Sequence, residues 1–369
     1  MSETSRLMNK NKKRNLIVMQ NIRSMSKNFD EFEVFYNQNE NLLAITLTET
    51  WLNENKPDGL FQIDHFDFFK TNRDQRGGGV VTYVHESWQP KLIKSFSEKL
   101  LQIHTIKLHY KEHIIYLSSL YKAPQMKTDI FLDKINEYYS SIKVNENAIS
   151  IVQGDFNVDT LENNQKSFNL KTCLQTLGLN LQNQQPTRQT VRSKTCIDLV
   201  FANKPVTTTT KMNQITDHDT IETIIEDLDI HKEKEKAREI RNWLVLEDIE
   251  VSLDVNYWLH QQLNIVEVGD SIELELMWEK LVSTLHEAIQ KFIPTKIKIN
   301  QTKNYWVTNR IKNLSNNKAQ LYKVYIENPT NNNKEKFKRM QKLVKTECRK
   351  NKAELGWRPP RGRPAVISS

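Results

Sequence analysis

The sequence predicts an α/β domain over its first 230 or so residues and a helical region beyond about residue 240. Three observations carry that division. Strand-like and helix-like stretches alternate through the first part, apolar residues recur at three- and four-residue spacing in the second, and the positive charge is concentrated near the C-terminus. Residues 301–369 hold 17 Lys/Arg against 4 Asp/Glu, or +13, while residues 1–300 hold 36 against 41, or −5.

The strand candidates are apolar or β-branched runs bounded by Gly, Pro, Asn or Asp. They are NLIVMQN (15–21), NLLAITLTETWL (41–52), GGGVVTYVHES (77–87), EHIIYLSSLYKAP (112–124), NAISIVQGDFN (147–157) and TCIDLVFAN (195–203). Between them, residues 26–40 bring Phe29, Phe32, Phe35 and Tyr36 onto one helical face. Residues 128–142 do the same with Ile130, Leu132, Ile135 and Tyr138 or Tyr139. A charged stretch, 229–240, reads as a linker. After it Leu274, Trp278, Leu281, Leu285, Ile289 and Phe292 form a helical stripe that Pro294 ends. Two more helices are expected over about 305–327 and 332–356, divided by the turn residues of ENPTNNN. The resulting division is a basic leader 1–14, an α/β domain 15–228, the linker 229–240, a helical basic region 241–357 and a disordered tail 358–369.

Composition narrows the class. A chain of 369 residues with 38% hydrophobic content supports one sizeable core and something smaller. Cys173, Cys196 and Cys348 are too few and too scattered for a disulfide framework, and no Cys/His cluster suggests zinc. Neither a signal peptide nor a membrane-spanning apolar run is present, so the expected location is intracellular, with no membrane partner.

Polar residues stand at or beside the strand ends: Asn21, Glu49, Tyr121, Asp155 with Asn157, and Asp198, with Asp217 and His218 just before a further apolar segment. Gly, Asp and Asn are also what turns prefer, and each of the residues taken singly is more often structural than catalytic. Their repetition in one domain points to a site, because ligands gather outside the carboxyl ends of strands.

The blocks QNIRSM (20–25), TETWL (48–52), RGGGVVTYV (76–84), SLYKAP (119–124), GDFN (154–157), QPTR (185–188), TCIDLVF (195–201) and TDHD (216–219) resemble, in order, the endonuclease/exonuclease/phosphatase superfamily. Within it they are similar to the endonuclease domains of LINE-type (non-LTR) retrotransposons. The resemblance implies a four-layered sandwich, two mixed β-sheets packed face to face with helices outside, and metal-assisted phosphoester hydrolysis at one edge.

That chemistry needs a hard cation, Mg²⁺ with Mn²⁺ as the alternative, for which Glu49 is the first ligand, with Asn21 beside it and Asp217 a further candidate. The resemblance assigns proton abstraction from the attacking water to Asp155 and phosphate stabilisation to His218, with Asp198 or Asp217 as the acid partner. Tyr121 would donate to the phosphate or the leaving oxygen, and Thr187 and Thr216 match minor phosphate contacts. Asn157, two residues past Asp155 on an extended chain, would share its side and hold the water or a phosphate oxygen.

The helical region resembles the segment that follows the endonuclease in LINE-type reading frames, where a reverse transcriptase comes next; no Tyr-x-Asp-Asp motif occurs here. The chain therefore reads as a truncated element or a gene derived from one. In the tail, PRGRP (360–364) equals an AT-hook core, which would set Arg361 and Arg363 in a narrow minor groove. The expected activity is a DNA endonuclease that nicks one strand, nuclear in location, with RNA a further partner of the basic helices. A phosphatase or phosphodiesterase of the same superfamily, and a non-catalytic nucleic-acid-binding protein derived from a dead element, stay open as alternatives.

Overall fold

A computed structural model describes residues 15–354 except 38, 40, 54–55, 74–76, 146, 213–214, 227, 229–237, 242–244, 247, 264–273 and 299–305. Two six-stranded mixed sheets form the main unit. The first contains β1 (Leu16–Asn21), β2 (Leu42–Thr48), β3 (Phe66–Thr71), β4 (Val80–His85), β13 (Thr207–Lys211) and β14 (Thr220–Ile224), in the order β13-β14-β1-β2-β4-β3. The second contains β5 (Lys91–Glu98), β6 (Leu101–Tyr110), β7 (His113–Lys122), β8 (Ile149–Asp155), β9 (Asn180–Leu181) and β12 (Asp198–Ala202), in the order β5-β6-β7-β8-β12-β9. A small ribbon pairs β10 (Arg188–Gln189) with β11 (Lys194–Thr195).

The central pairs explain where the strand ends fall. β1 runs parallel to β2, and β7 runs parallel to β8, so Asn21 and Thr48 end together, as do Tyr121 and Asp155. β12 is antiparallel to β8 and starts with Asp198 opposite Asp155.

Side chains alternate along each strand, and the two faces bury different cores. Ile17, Met19, Leu117, Ile151 and Val200 meet between the sheets. Val18 and Ile45 pack with Phe29 and Phe32 of α1 (Met25–Tyr36), while Val152 and Phe156 pack with Phe131 of α2 (Thr128–Ser140) and Leu170 of α3 (Gln165–Thr176). The inner face changes character along its length. Leu117 is followed at the period of two by Ser119 and Tyr121, and Ile151 by Gln153 and Asp155. Ser119 and Gln153 reach across to Thr46 of the opposite sheet at 2.7 and 2.8 Å, while His104 is hydrogen-bonded to Thr71 and Thr82 at 2.9 and 2.8 Å. A polar seam thus separates the apolar core from the sandwich edge.

Gly154 is required by the pairing of β8 with β7, because a Cβ there would lie 1.9 Å from the Leu120 carbonyl oxygen.

The helices over 309–354 group with the sandwich, whereas residues 233–301 form a separate unit. α6 (Asn309–Glu327) and α7 (Asn331–Glu354) make a hairpin whose Ile311, Val344 and Cys348 pack with Trp306 against Val34 of α1. The buried carboxylate of Glu31 is met by Lys318 and, at 3.6 Å, by Lys345; Lys352 reaches Asp30 at 2.6 Å and also contacts Glu33. The separate unit holds β15 (Arg238–Arg241) paired with β16 (Thr295–Lys298), and α4 (Ile249–Leu263) packed with α5 (Leu274–Phe292).

Several expectations need correction. β3, β5, β6, β9, β10, β11, β13 and α3 were not anticipated, β15 lies across the end of the expected linker, and β16, its partner, falls within the region expected to be helical. Ile130 is 49% exposed, because α2 turns Phe131, Leu132, Ile135 and Tyr138 inward and leaves Ile130 about 100° off that stripe. On α5 the expected stripe is only partly buried, with Trp278 and Leu285 exposed. Strand β8 stops at Asp155, and Asn157 has φ 46°, so the alternation invoked for Asp155 and Asn157 does not operate across that turn. The leader 1–14, most of the linker and the tail with Arg361 and Arg363 lie outside the described residues.

Candidate active site

The inner faces of β1, β7 and β8 deliver polar residues from their C-terminal ends, and that of β12 its first residue, Asp198, to one edge of the sandwich. The amide nitrogen of Asn21 donates to Glu49 Oε1 and to Asp155 Oδ2, both at 2.9 Å. Glu49 sits just past β2 with φ 51°, a left-handed backbone uncommon for a residue with a side chain. Its carbonyl accepts from the Ser24 amide at 2.8 Å, and Trp51 N donates to Gly78 O at 3.0 Å, which fixes the turn. Gly78 has φ 70°, and a Cβ there would lie 2.9 Å from the Tyr121 ring, so the glycine lets its loop close over that side chain.

Asp198 is fully buried at the start of β12. Its Oδ2 lies 2.7 Å from His218 Nδ1, while its Oδ1 has no hydrogen-bond partner among the described residues. One ligand atom from each of Glu49, Asp155 and His218 lies within 4.8 Å of the others.

Electrostatics divide these groups. Burial, then the nearby Asp198 and Glu49, push the Asp155 carboxyl up to about 8, although His218 pulls it the other way. Burial opposes charge on His218, but Asp198, by charge and hydrogen bond, together with Asp155 and Asp217, raises the imidazole to about 9. The Tyr121 hydroxyl is held well above its usual value by burial and by Glu49 and Asp155, so it remains a proton donor.

The other expected residues fall around this centre. Asn157 donates its side-chain amide to Lys122 O at 2.8 Å and its backbone N–H to Asp155 Oδ1 at 3.1 Å. Asp217 pairs with Arg23 at 2.7 Å and Arg188 at 2.9 Å; these and His218 hold its carboxyl low despite burial. The fully buried Thr187 accepts through its hydroxyl from the amides of Ile197 and Asp198, standing behind Asp198 rather than open to a substrate. Thr216 donates to Asn21 O at 2.8 Å. Asn21 turns its amide nitrogen to the two carboxylates, while its oxygen accepts from Arg23 N at 3.2 Å. Arg23 and Arg188, both at the rim, were missed from the sequence although they lie inside QNIRSM and QPTR; their place in those blocks was the available signal.

The donor set fits a hard divalent cation. Mg²⁺ takes one or two carboxylates and otherwise keeps water or phosphate, which Glu49 and Asp155 can satisfy. His218, tied to Asp198 and favouring its charged form, is better suited to an anionic oxygen than to Mg²⁺.

No family model and no curated protein sequence matches the chain. Its structure is similar to the endonuclease domain of TRAS1, a telomere-specific non-LTR retrotransposon, at 16% identity over 57% of this chain and 98% of that one, with a TM-score of 0.45. It is also similar to an endonuclease/exonuclease/phosphatase family protein from Leptotrichia buccalis C-1013-b, at 16% identity over 57% and 99% of the two chains, TM-score 0.45. A third similar structure is truncated Caenorhabditis elegans TDP2, at 14% identity over 57% and 98%, TM-score 0.41. The two six-stranded mixed sheets packed face to face with helices outside are the four-layered arrangement expected from the sequence. Among the described residues, no helix is long and apolar enough to cross a membrane.

Proposed function

We propose that this chain is a metal-dependent phosphodiesterase that nicks one strand of DNA. The observation that carries the reading is the joining of two carboxylates, Glu49 and Asp155, by the single amide of Asn21 beside a buried Asp198–His218 pair.

Glu49 and Asp155 would hold a divalent cation, which when bound would supply Lewis-acid polarisation of the phosphate, offset charge on the leaving oxygen and favour the ionised carboxylates. Asp155 takes the proton of the attacking water, whose oxygen forms the new bond to phosphorus as the P–O bond to the leaving group breaks. His218, oriented by Asp198, donates to a non-bridging oxygen as negative charge builds there. Tyr121, kept protonated by its surroundings, supplies a proton toward the leaving oxygen. Arg23 and Arg188 put positive charge at the rim, where a polyanionic strand would lie.

The test presents supercoiled plasmid, abasic duplex and inositol phosphates to the purified chain, with and without Mg²⁺. Mg²⁺-dependent conversion of plasmid to the open circle, lost in a variant lacking Glu49, Asp155 and His218, is the expected result. Turnover of inositol phosphates alone would move the assignment to a phosphatase. A wild type no faster than the triple variant would leave a non-catalytic binding protein.

A further inference from the structure

Four lysines of α7 form one stripe. At 100° per residue Lys334, Lys338, Lys345 and Lys352 fall within about 20° of a common line. The two C-terminal members are neutralised by the sandwich: Lys352 pairs with Asp30 and Glu33, and Lys345 with Glu31 and Asn28. The two N-terminal members are not. Lys338 reaches only Glu335 of its own helix at 3.4 Å with both side chains exposed, and Lys334 is exposed with no acidic partner among the described residues.

The order of the pairs shows where the free half of the stripe lies. Moving from Lys352 to Lys345 shifts the partners on α1 from Asp30 and Glu33 to Asn28 and Glu31, toward its first residue, Met25. Lys338 lies roughly 10 Å further along α7, past the point where α1 gives way to Arg23 and Asn21. A second contact fixes the same level independently. Tyr322 of α6 packs on Phe337, ring centroids 5.0 Å apart, and its hydroxyl donates to Gln189 O of β10 at 2.9 Å. The neighbouring backbone, Arg188, bridges to His218, and the ribbon's Arg192 and Lys194 are exposed.

We infer that the N-terminal half of α7 is a rail for the phosphates of duplex DNA, with Lys334 and Lys338 continuing the basic rim of Arg192 and Lys194 away from the scissile bond. This assignment rests on the nuclease reading and extends it: the helical hairpin becomes part of the substrate surface. A nucleic-acid backbone is the occupant that the charge spacing favours, and duplex DNA is the form that the nicking reading supplies. Lysines four residues apart lie about 6 Å apart along the helix, close to the separation of successive phosphates along a strand, and they carry no base-reading geometry.

The experiment measures affinity of the full chain for a 30-base-pair DNA duplex, about three helical turns, in EDTA between 50 and 200 mM salt. Lys334→Gln/Lys338→Gln should lower the slope of log affinity against log salt by nearly two, shrinking the loss over that range about tenfold. Lys336→Gln/Lys350→Gln removes the same charge from exposed positions about half a turn round the helix and should leave the slope unchanged. Equal effects of the two pairs, or no effect of either, would overturn the rail, as would a slope change seen with duplex RNA but not with DNA. Plasmid nicking by the same preparations separates the two ideas. Nicking with an unchanged slope removes the rail alone, whereas the expected slope change without nicking removes the nuclease reading alone.

Discussion

The imidazole of His218 leans on the carboxylate of Asp198, Nδ1 to Oδ2 at 2.7 Å, with both side chains almost wholly out of solvent. Asp198→Asn keeps the size of the partner and removes its charge, so the ring loses both its fixed tautomer and its help in carrying positive charge. The expected outcome is a fall in kcat for nicking of roughly a hundredfold with little change in KM, because the loss is felt as phosphate charge develops. A variant with unaltered kcat would reduce the pair to a structural contact.

The Asn21 amide that joins Glu49 and Asp155 makes a second prediction. Without it the two acids repel each other with nothing between them when the cation is absent, and their orientation loosens. Asn21→Ala should raise the Mg²⁺ concentration giving half-maximal nicking about 10- to 100-fold, and Glu49→Gln should raise it at least as far. A Mg²⁺ titration of the initial rate reads both, and excess EDTA should abolish nicking in the wild type.

His104 predicts an acid-sensitive core. Burial lowers its pKa to about 3, and both ring nitrogens are engaged, by Thr71 and Thr82. The folded state therefore refuses a proton that the unfolded chain accepts below about pH 6.5. Its stabilising effect is complete above that pH and is lost progressively as the pH falls toward 3. Urea unfolding at pH 7 and pH 4.5 should show a decrease of about 2 kcal/mol from this residue, and His104→Gln should flatten that part of the profile.

Gly154 and Gly178 make a matched pair. Alanine at Gly154 would force a Cβ to within 1.9 Å of the Leu120 carbonyl, so the strands must part or the chain must misfold. A loss of about 3 kcal/mol or more is expected. Gly178→Ala, at φ 75° with open space around it, should cost only about 1 kcal/mol. Denaturant midpoints decide the comparison.

Much of this was legible in the chain because the site residues stand at strand ends, where apolar runs stop abruptly at Asn21, Glu49 and Asp155. What escaped had no such signature. β5 alternates exposed and half-buried positions in KLIKSFSE, a weak signal among charged residues. The pairing of Lys318 with Glu31 joins residues 287 apart, and nothing local in a basic helix shows that its lysines answer acids on a distant one. The rim role of Arg23 and Arg188 likewise depends on Asp217, brought to both by the fold.

The polar seam between the sheets has a consequence for how this molecule can fail. Tyr121 and Asp155 occupy the same inward row as Leu117 and Ile151, four positions further along each strand. A strand displaced by one residue would turn its catalytic group outward in the same movement that pulled its core residues from the interior. Under the proposed activity, chemistry and sheet alignment would be one event, and the cleavage rate would gauge strand register: misaligned copies would be silent, not slow.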